Sequence, residues 1–231
     1  FPKPDGAGFK LERFDFITSN PARQFAGSDF VQGKVNREIR TWFRPADVTV
    51  GPDGAIYVAD WFDPRVGGHA DLDDSTSGTI YRIAPKGFKP RIPKIDLTTT
   101  AGQIEALRSP AVNVRNSGFT RLKAQGERAV PAVAALLKDE NPFLAARAVW
   151  LLAQLGPSGV ALVKPMLVSG TDNQRLVAYR ALRRAGQDVV ALAAQAAVDR
   201  SPAIRRDAAL MLRDVPSARS RDLLIQIARQ Y

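Results

Sequence analysis

The sequence has no cysteine, a single histidine and two methionines. Without thiols the chain can hold no disulfide, no thiolate metal site and no covalently attached c-type haem of its own. The absence does not fix a compartment, because cysteine-free chains occur in reducing and oxidising spaces alike. No apolar run approaches the roughly 20 residues that a bilayer demands. The first residue is Phe1, and no charged start leads into an apolar stretch, so no signal peptide is visible. The opening "FPKPDGAGF" reads as the middle of a longer chain whose natural start lies elsewhere. There is also no Gly-rich phosphate loop, no G-x-S-x-G elbow and no paired-carboxylate motif in regular context.

What the chain does have is divided unevenly. Its 231 residues suit one large domain or two ordinary ones. Residues 1–100 hold 14 Lys and Arg against 13 Asp and Glu, whereas residues 101–231 hold 19 against 10, and 16 of those 19 cations are Arg. Nine of the eleven Phe fall in the front part. Two composition regimes predict two domains, with a boundary near "KGFKPRIPKIDL", where Pro85, Pro90 and Pro93 interrupt regular structure. The expected division is a β region over 1–90, a linker over 91–100 and an all-α region over 101–231.

The back part repeats with a period of 30 residues. Arg115, Arg175 and Arg205 share one column, with Ala145 in the remaining register. Small residues follow at Gly118, Ala148, Ala178 and Ala208, then Leu122, Leu152, Leu182 and Leu212. Each copy closes at Gly126, Gly156, Gly186 or Pro216. Within a copy, one segment of the type "PFLAARAVWLLAQLG" places small and apolar residues on one helical face, and the Gly after it suits a left-handed helix stop. A second segment, such as "ERAVPAVAALLKD", completes a helix pair. Pro131 and Pro165 fall within these second segments and predict a bend or a late start there. One pair cannot bury its apolar face alone, so the pairs must stack.

The stretches "NPFLAARAVWLLAQLG", "DNQRLVAYRALRRAG" and "SPAIRRDAALMLRDV" resemble the HEAT-repeat family in its short, Ala-rich form, over about residues 96–231. The resemblance implies an α-solenoid that serves as a scaffold or protein-binding surface. Two readings of the Arg column stay open. In one, each Arg pairs with an acid of a neighbouring repeat. In the other, Arg115, Arg175 and Arg205, with Arg206 beside them, form a face for phosphate or an acidic partner. Nucleic acid is disfavoured, because few rings offer stacking; Phe143, Trp150 and Tyr179 are the candidates, and the last two sit in core-type columns.

In the front part, "ADVTVGPDGAIYVADW" alternates Val48 and Val50, then Ile56 and Val58, with polar neighbours, which is the period of half-buried strands. Between them, Pro52 to Gly54 supply a turn and no further role. A third strand is expected at "GTIYRIAP" and another alternating segment at "KLERFDFITSN". Short strands with turns, Gly and aromatics suggest a β-propeller blade.

The phrases "RPADV", "GPDGAIYVADW" and "GTIYRI" closely resemble the last propeller blade of bacterial membrane-bound dehydrogenases, relatives of the quinone-dependent glucose/sorbosone dehydrogenases. In that family HEAT-like repeats follow the propeller, and often a c-type cytochrome module follows those. The implied fold class is a partial β-propeller, its final blade region, followed by a HEAT-repeat solenoid. The implied setting is periplasmic or exported. The implied partners are the remaining blades or a protein, and the full-length protein would carry pyrroloquinoline quinone, Ca2+ and a c-type haem. Trp42 and Trp61 read as packing between blades rather than holding a sugar.

The loop "DWFDPRVGGHADLDD" is the one stretch with chemical potential. Asp60, Asp63, His69 and Asp71 could ligate a divalent cation, or His69 could shuttle protons. The spacing matches no known cage, so a solvated acidic loop, with Asp60 capping the turn, is the plainer reading. Arg44 is placed to pair with Asp47 or Asp60. The functional expectation is a structural and interaction module beside a dehydrogenase-like propeller. One alternative is a quinone-dependent sugar dehydrogenase with its catalytic residues mostly elsewhere. A second is a basic array that binds an anionic partner.

Overall fold

The computed structural model describes residues 2–12, 14–23, 30–31, 34–35, 43–61 and 78–230. Small antiparallel sheets come first and a mostly helical region follows, an α+β arrangement. The chain forms two compact units, one of Phe1–Glu12, Ile95–Arg108 and Val114–Tyr231, the other of Arg13–Lys94 and Ser109–Asn113.

In the second unit, β5 (Pro45–Val50), β6 (Ile56–Asp60) and β7 (Thr79–Ile83) make a three-stranded antiparallel sheet with β6 in the centre. The register sets Val48 opposite Val58 and Val58 opposite Tyr81, so the alternating apolar residues share one face. Pro45 opens an edge strand, a position where its missing N–H breaks no ladder bond, and the register shifts between Pro45 and Asp47. Two short ribbons complete the strands: β1 (Pro2–Asp5) with β2 (Gly8–Leu11), and β3 (Phe30–Val31) with β4 (Lys34–Val35). Among the described residues of the alternating segment "KLERFDFITSN", the first two lie in a strand, since β2 stops at Leu11.

The helical region runs through α1 (Thr100–Arg108), α2 (Val112–Gln125), α3 (Val130–Ala134), α4 (Pro142–Leu152), α5 (Pro157–Val163), α6 (Asp172–Arg184), α7 (Val189–Ala196), α8 (Pro202–Leu212) and α9 (Ala218–Ala228). The prolines explain why the second helix of two pairs is short. Pro131 sits in the first turn of α3, where no N–H is needed, and Pro165 lies in the tighter 3-10 turn Lys164–Leu167 that continues α5. Side-chain caps fix the longer helices. Asn141 accepts from the N–H groups of Phe143 and Leu144, and Thr171 and Gln174 form a reciprocal capping box. Gly126, Gly156 and Gly186 close successive copies with φ of +59°, +114° and +77°, the left-handed region where a Cβ is strained.

One continuous apolar core fills this region, from Leu107 to Ile227. Leu122, Leu152 and Leu182 are fully buried, and Leu212 is nearly so. Burial of each such side chain stabilises by about 1.5–3 kcal/mol relative to exposure. The small-residue column lets helices touch. A Cβ added at Gly118 would lie 2.5 Å from the Gln103 carbonyl oxygen and 2.7 Å from the Ala106 Cβ, so α1 and α2 could not pack this closely around any larger residue. The β1–β2 ribbon belongs to the same compact unit, where the Arg206 guanidinium donates to the Ala7 carbonyl and lies 5.6 Å from the Phe9 ring centroid.

Candidate functional site

Asp60, the acid that the sequence put forward, stands at the open end of the β5–β6 hairpin, opposite Pro45. Asp60 ends β6, is 7% exposed, and its Oδ1 accepts from the Arg44 N–H at 2.7 Å. The Trp61 N–H donates back to the Arg44 carbonyl at 3.1 Å, so the carboxylate closes the entry to the hairpin. The bond to Arg44 is thus made by its backbone. Asp63, His69 and Asp71 lie outside the described residues. Among the described residues no group of three or more His, Cys, Asp or Glu stands together with the geometry of a metal site. Asp60 alone is one carboxylate where Ca2+ takes about six to eight oxygens, and the chain has no cysteine to carry haem.

A second acid, Asp53 in the turn between β5 and β6, carries more bonds than the sequence revealed. Asp53 is 9% exposed; its Oδ1 accepts from the Ala55 N–H at 3.0 Å, and its Oδ2 from Tyr57 Oη at 3.1 Å. Arg82 of β7 completes the set, with Nε at 3.0 Å and Nη2 at 2.8 Å from the same oxygen. The Arg82 hydrogen bonds, with help from Ala55 and Tyr57, hold the Asp53 carboxyl below the usual carboxylate range, against the opposing effect of burial. The turn is therefore more than a reversal of direction: it anchors the third strand. Nothing local announces this, because Arg82 is 29 residues away in sequence.

The four Arg proposed for an anion face do not share one environment. Arg175 is 4% exposed. Its guanidinium forks onto Asp199, Nε to Oδ2 at 2.9 Å and Nη2 to Oδ1 at 2.8 Å. It also donates to Asp172 and to the Gly170 carbonyl, both at 3.0 Å. Arg205 converges on the same turn and donates to the carbonyls of Asp199 and Arg200. Arg206 reaches the β1–β2 ribbon as described, and half-buried Arg115 lies near Arg147. Burial first, and the Arg115 charge second, hold Arg147 below the ordinary guanidinium range; its Nη1 donates to the Leu107 carbonyl at 2.8 Å.

The electrostatics around Asp199 follow from this crowding. Burial raises its carboxyl, but the Arg175 fork, the Ser201 N–H and the nearby guanidinium charges outweigh that and hold it below the usual range. Beside it, burial and the Asp199 charge push the Tyr179 phenol up to about 12, with Arg175 opposing. Similar stitches recur at intervals close to one repeat. Arg108 bonds Asp139 at 2.6 Å, the Ser158 N–H bonds Glu127 at 3.0 Å, and Arg180 forks onto Asp207, which is 3% exposed.

No known family model matches the chain, and neither does any curated protein. Among the described residues no helix is long and apolar enough to cross a membrane.

Proposed function

We propose that the helical region is a HEAT-type scaffold, following a strand region of propeller-blade type, and that its work is to hold a protein partner. The observation that carries this is the recurrence of the stitches. Arg108–Asp139 and Glu127–Ser158 each span 31 residues, and Arg180–Asp207 spans 27, so carboxylates accept bonds from a neighbouring part of the array at nearly the same interval, from a guanidinium in two cases and a main-chain N–H in the third. Such stacking builds an extended surface rather than a single enclosed site. The blade-like phrases support a setting beside a dehydrogenase-type propeller, exported and bacterial, with any quinone, Ca2+ and haem carried outside these residues.

The rival reading is a quinone-dependent sugar dehydrogenase. The test is dye reduction by the purified chain with pyrroloquinoline quinone, Ca2+ and a panel of aldoses, run beside cross-linking mass spectrometry of the protein in its native extract. The scaffold reading expects no sugar-dependent reduction, and cross-links from the helical region to one recurring partner. Sugar-dependent reduction that follows the chain through purification would overturn it.

A further inference from the structure

The helical region contains three lysines, Lys123, Lys138 and Lys164, and two of them line one groove with Arg184. The groove has a volume of about 690 Å3 and is built on the turn from α4 to α5 and the end of α6. Its apolar lining is small, with buried Ala153, half-buried Val160 and exposed Ala161, and two amides, Gln154 and Gln187, line it as well. The repeat explains the opening. Ala153 occupies the column that holds Lys123 one copy earlier and Arg183 one copy later. The middle copy therefore supplies space, while the copies on either side supply two of the cations, Lys123 and Arg184.

The charge of the groove is not cancelled from within. Among the described residues no carboxylate lines it. The acids nearest in sequence, Glu127 and Asp188, keep their charge but direct it at helix starts, and Glu127 lies against Gly156 at the edge of the groove. Glu127 accepts from the Ser158 N–H at 3.0 Å, and Asp188 from the N–H groups of Val190 and Ala191 at 2.9 and 3.0 Å. Lys123 Nζ donates to Gln154 Oε1 at 2.9 Å, a neutral partner. Lys164 and Arg184 are exposed and, among the described residues, make no ion pair. A groove at the turns between copies has the opposite character: it is smaller, about 340 Å3, and is lined by Asp139 and Glu140 with no cation.

We infer that the groove holding Lys123, Lys164 and Arg184 takes an acidic peptide segment of the partner protein, an inference that rests on the scaffold reading above. Carboxylates of the segment would meet the three cations, its main chain would bond Gln187, and a small apolar side chain would sit on Val160 and Ala161, while Gln154 stays bonded to Lys123 and to the Trp150 carbonyl. Fixed cations beside an apolar lining raise the local concentration of such a segment and set its register. A single nucleic acid strand is the poorer occupant, because its binding leans on aromatic stacking and no ring lines the groove.

The test uses the full chain and a short fluorescein-labelled peptide of Glu and Leu residues, followed by fluorescence anisotropy at about 0.15 M salt, where the Debye length is about 8 Å. Saturable binding is expected, weakened about tenfold or more by K123E/K164E/R184E, since three attractive contacts become repulsive. An equal charge change elsewhere in the same unit, R219E/R221E/R229E on and just after α9, is expected to alter affinity less than about twofold, because screening confines the effect to nearby charges. A161W keeps every charge, puts a bulky ring into the lining and is expected to weaken binding as well. Circular dichroism checks that each variant is folded. The inference falls if wild type shows no saturable binding, if both triple variants weaken it equally, or if A161W binds like wild type. It also falls if an oligothymidine binds more tightly than the peptide through the same three cations. None of these outcomes touches the scaffold reading, which fails instead by sugar-dependent dye reduction.

Discussion

The three-stranded sheet and the helical region each contain a guanidinium bonded through two nitrogens to a carboxylate far away in sequence. In the sheet, Arg82 holds Asp53, and the Arg82 side chain is 36% exposed. In the helical region Arg175 holds Asp199, and their side chains are 5% and 8% exposed. The two pairs have the same chemistry but different surroundings. Arg82 lies partly in water and beside the Phe88 ring, so the loss of its partner leaves a charge that solvent still reaches. Arg175 sits among buried residues, where an unpaired partner has no water to turn to. Burial, rather than the count of hydrogen bonds, is what separates a fastening of one turn from a fastening of the core.

Removal of the buried partner is the sharpest way to test that difference. Arg175→Ala leaves Asp199 charged and enclosed, and is expected to cost about 3–5 kcal/mol in chemical denaturation. A cost below about 1 kcal/mol, the range of exposed pairs, would put both pairs in one class and break the comparison. The same pair has a pH signature. The Asp199 carboxyl is depressed in the folded protein, so its contribution is present above the unfolded value of about 4 and is lost as pH falls through the folded value. The stability gap between wild type and Asp199→Asn should therefore be widest near neutrality and close progressively in acid. A gap that widened in acid would reverse the assignment.

The sheet pair calls for a local readout. Asp53→Asn removes the anion from Arg82 and weakens the tie of β7 to the hairpin. Amides of Thr79–Ile83 are expected to exchange faster while the helical melting transition keeps its midpoint. A shift of that midpoint comparable to that of Arg175→Ala would show that the sheet pair also fastens a core. The smallest effect is expected at a helix start. Thr171→Ala loses one half of the capping box and should cost about 1 kcal/mol. A larger cost would mean that the neighbouring turn, with Gly170 and Arg175, depends on that cap.

Much of the helical region could be read directly from the sequence, because repetition turns weak signals into strong ones. A buried Leu is ambiguous by itself, yet Leu122, Leu152, Leu182 and Leu212 in one column name the core, and the closing glycines name the turns. The three strands of the sheet were readable in the same way, from alternation and a Pro–Asp–Gly turn. Partners were not readable. Period and alternation say which side of an element a residue occupies, but not which side chain from another element meets it. So Asp53 read as part of a plain turn, although Arg82 and Tyr57 converge on it. Arg175 stood in a column with two competing meanings, and only its placement next to Asp199 distinguishes the surroundings of that one member from those of Arg115 or Arg206. The grouping of the β1–β2 ribbon with the helices was equally hidden, since it depends on contacts that span 199 residues.

The stitches in the helical region seldom reach beyond the next helix pair. Lys123 to Gln154 spans 31 residues, Arg175 to Asp199 spans 24, and Gln230 to the Ala197 carbonyl spans 33. A region fastened only between neighbours behaves like a zipper, in which damage is felt by the adjoining teeth and fades beyond them. One tooth can be copied or deleted with its neighbours closing over the change, since every junction is made in nearly the same way. The period-30 columns are the written record of that freedom.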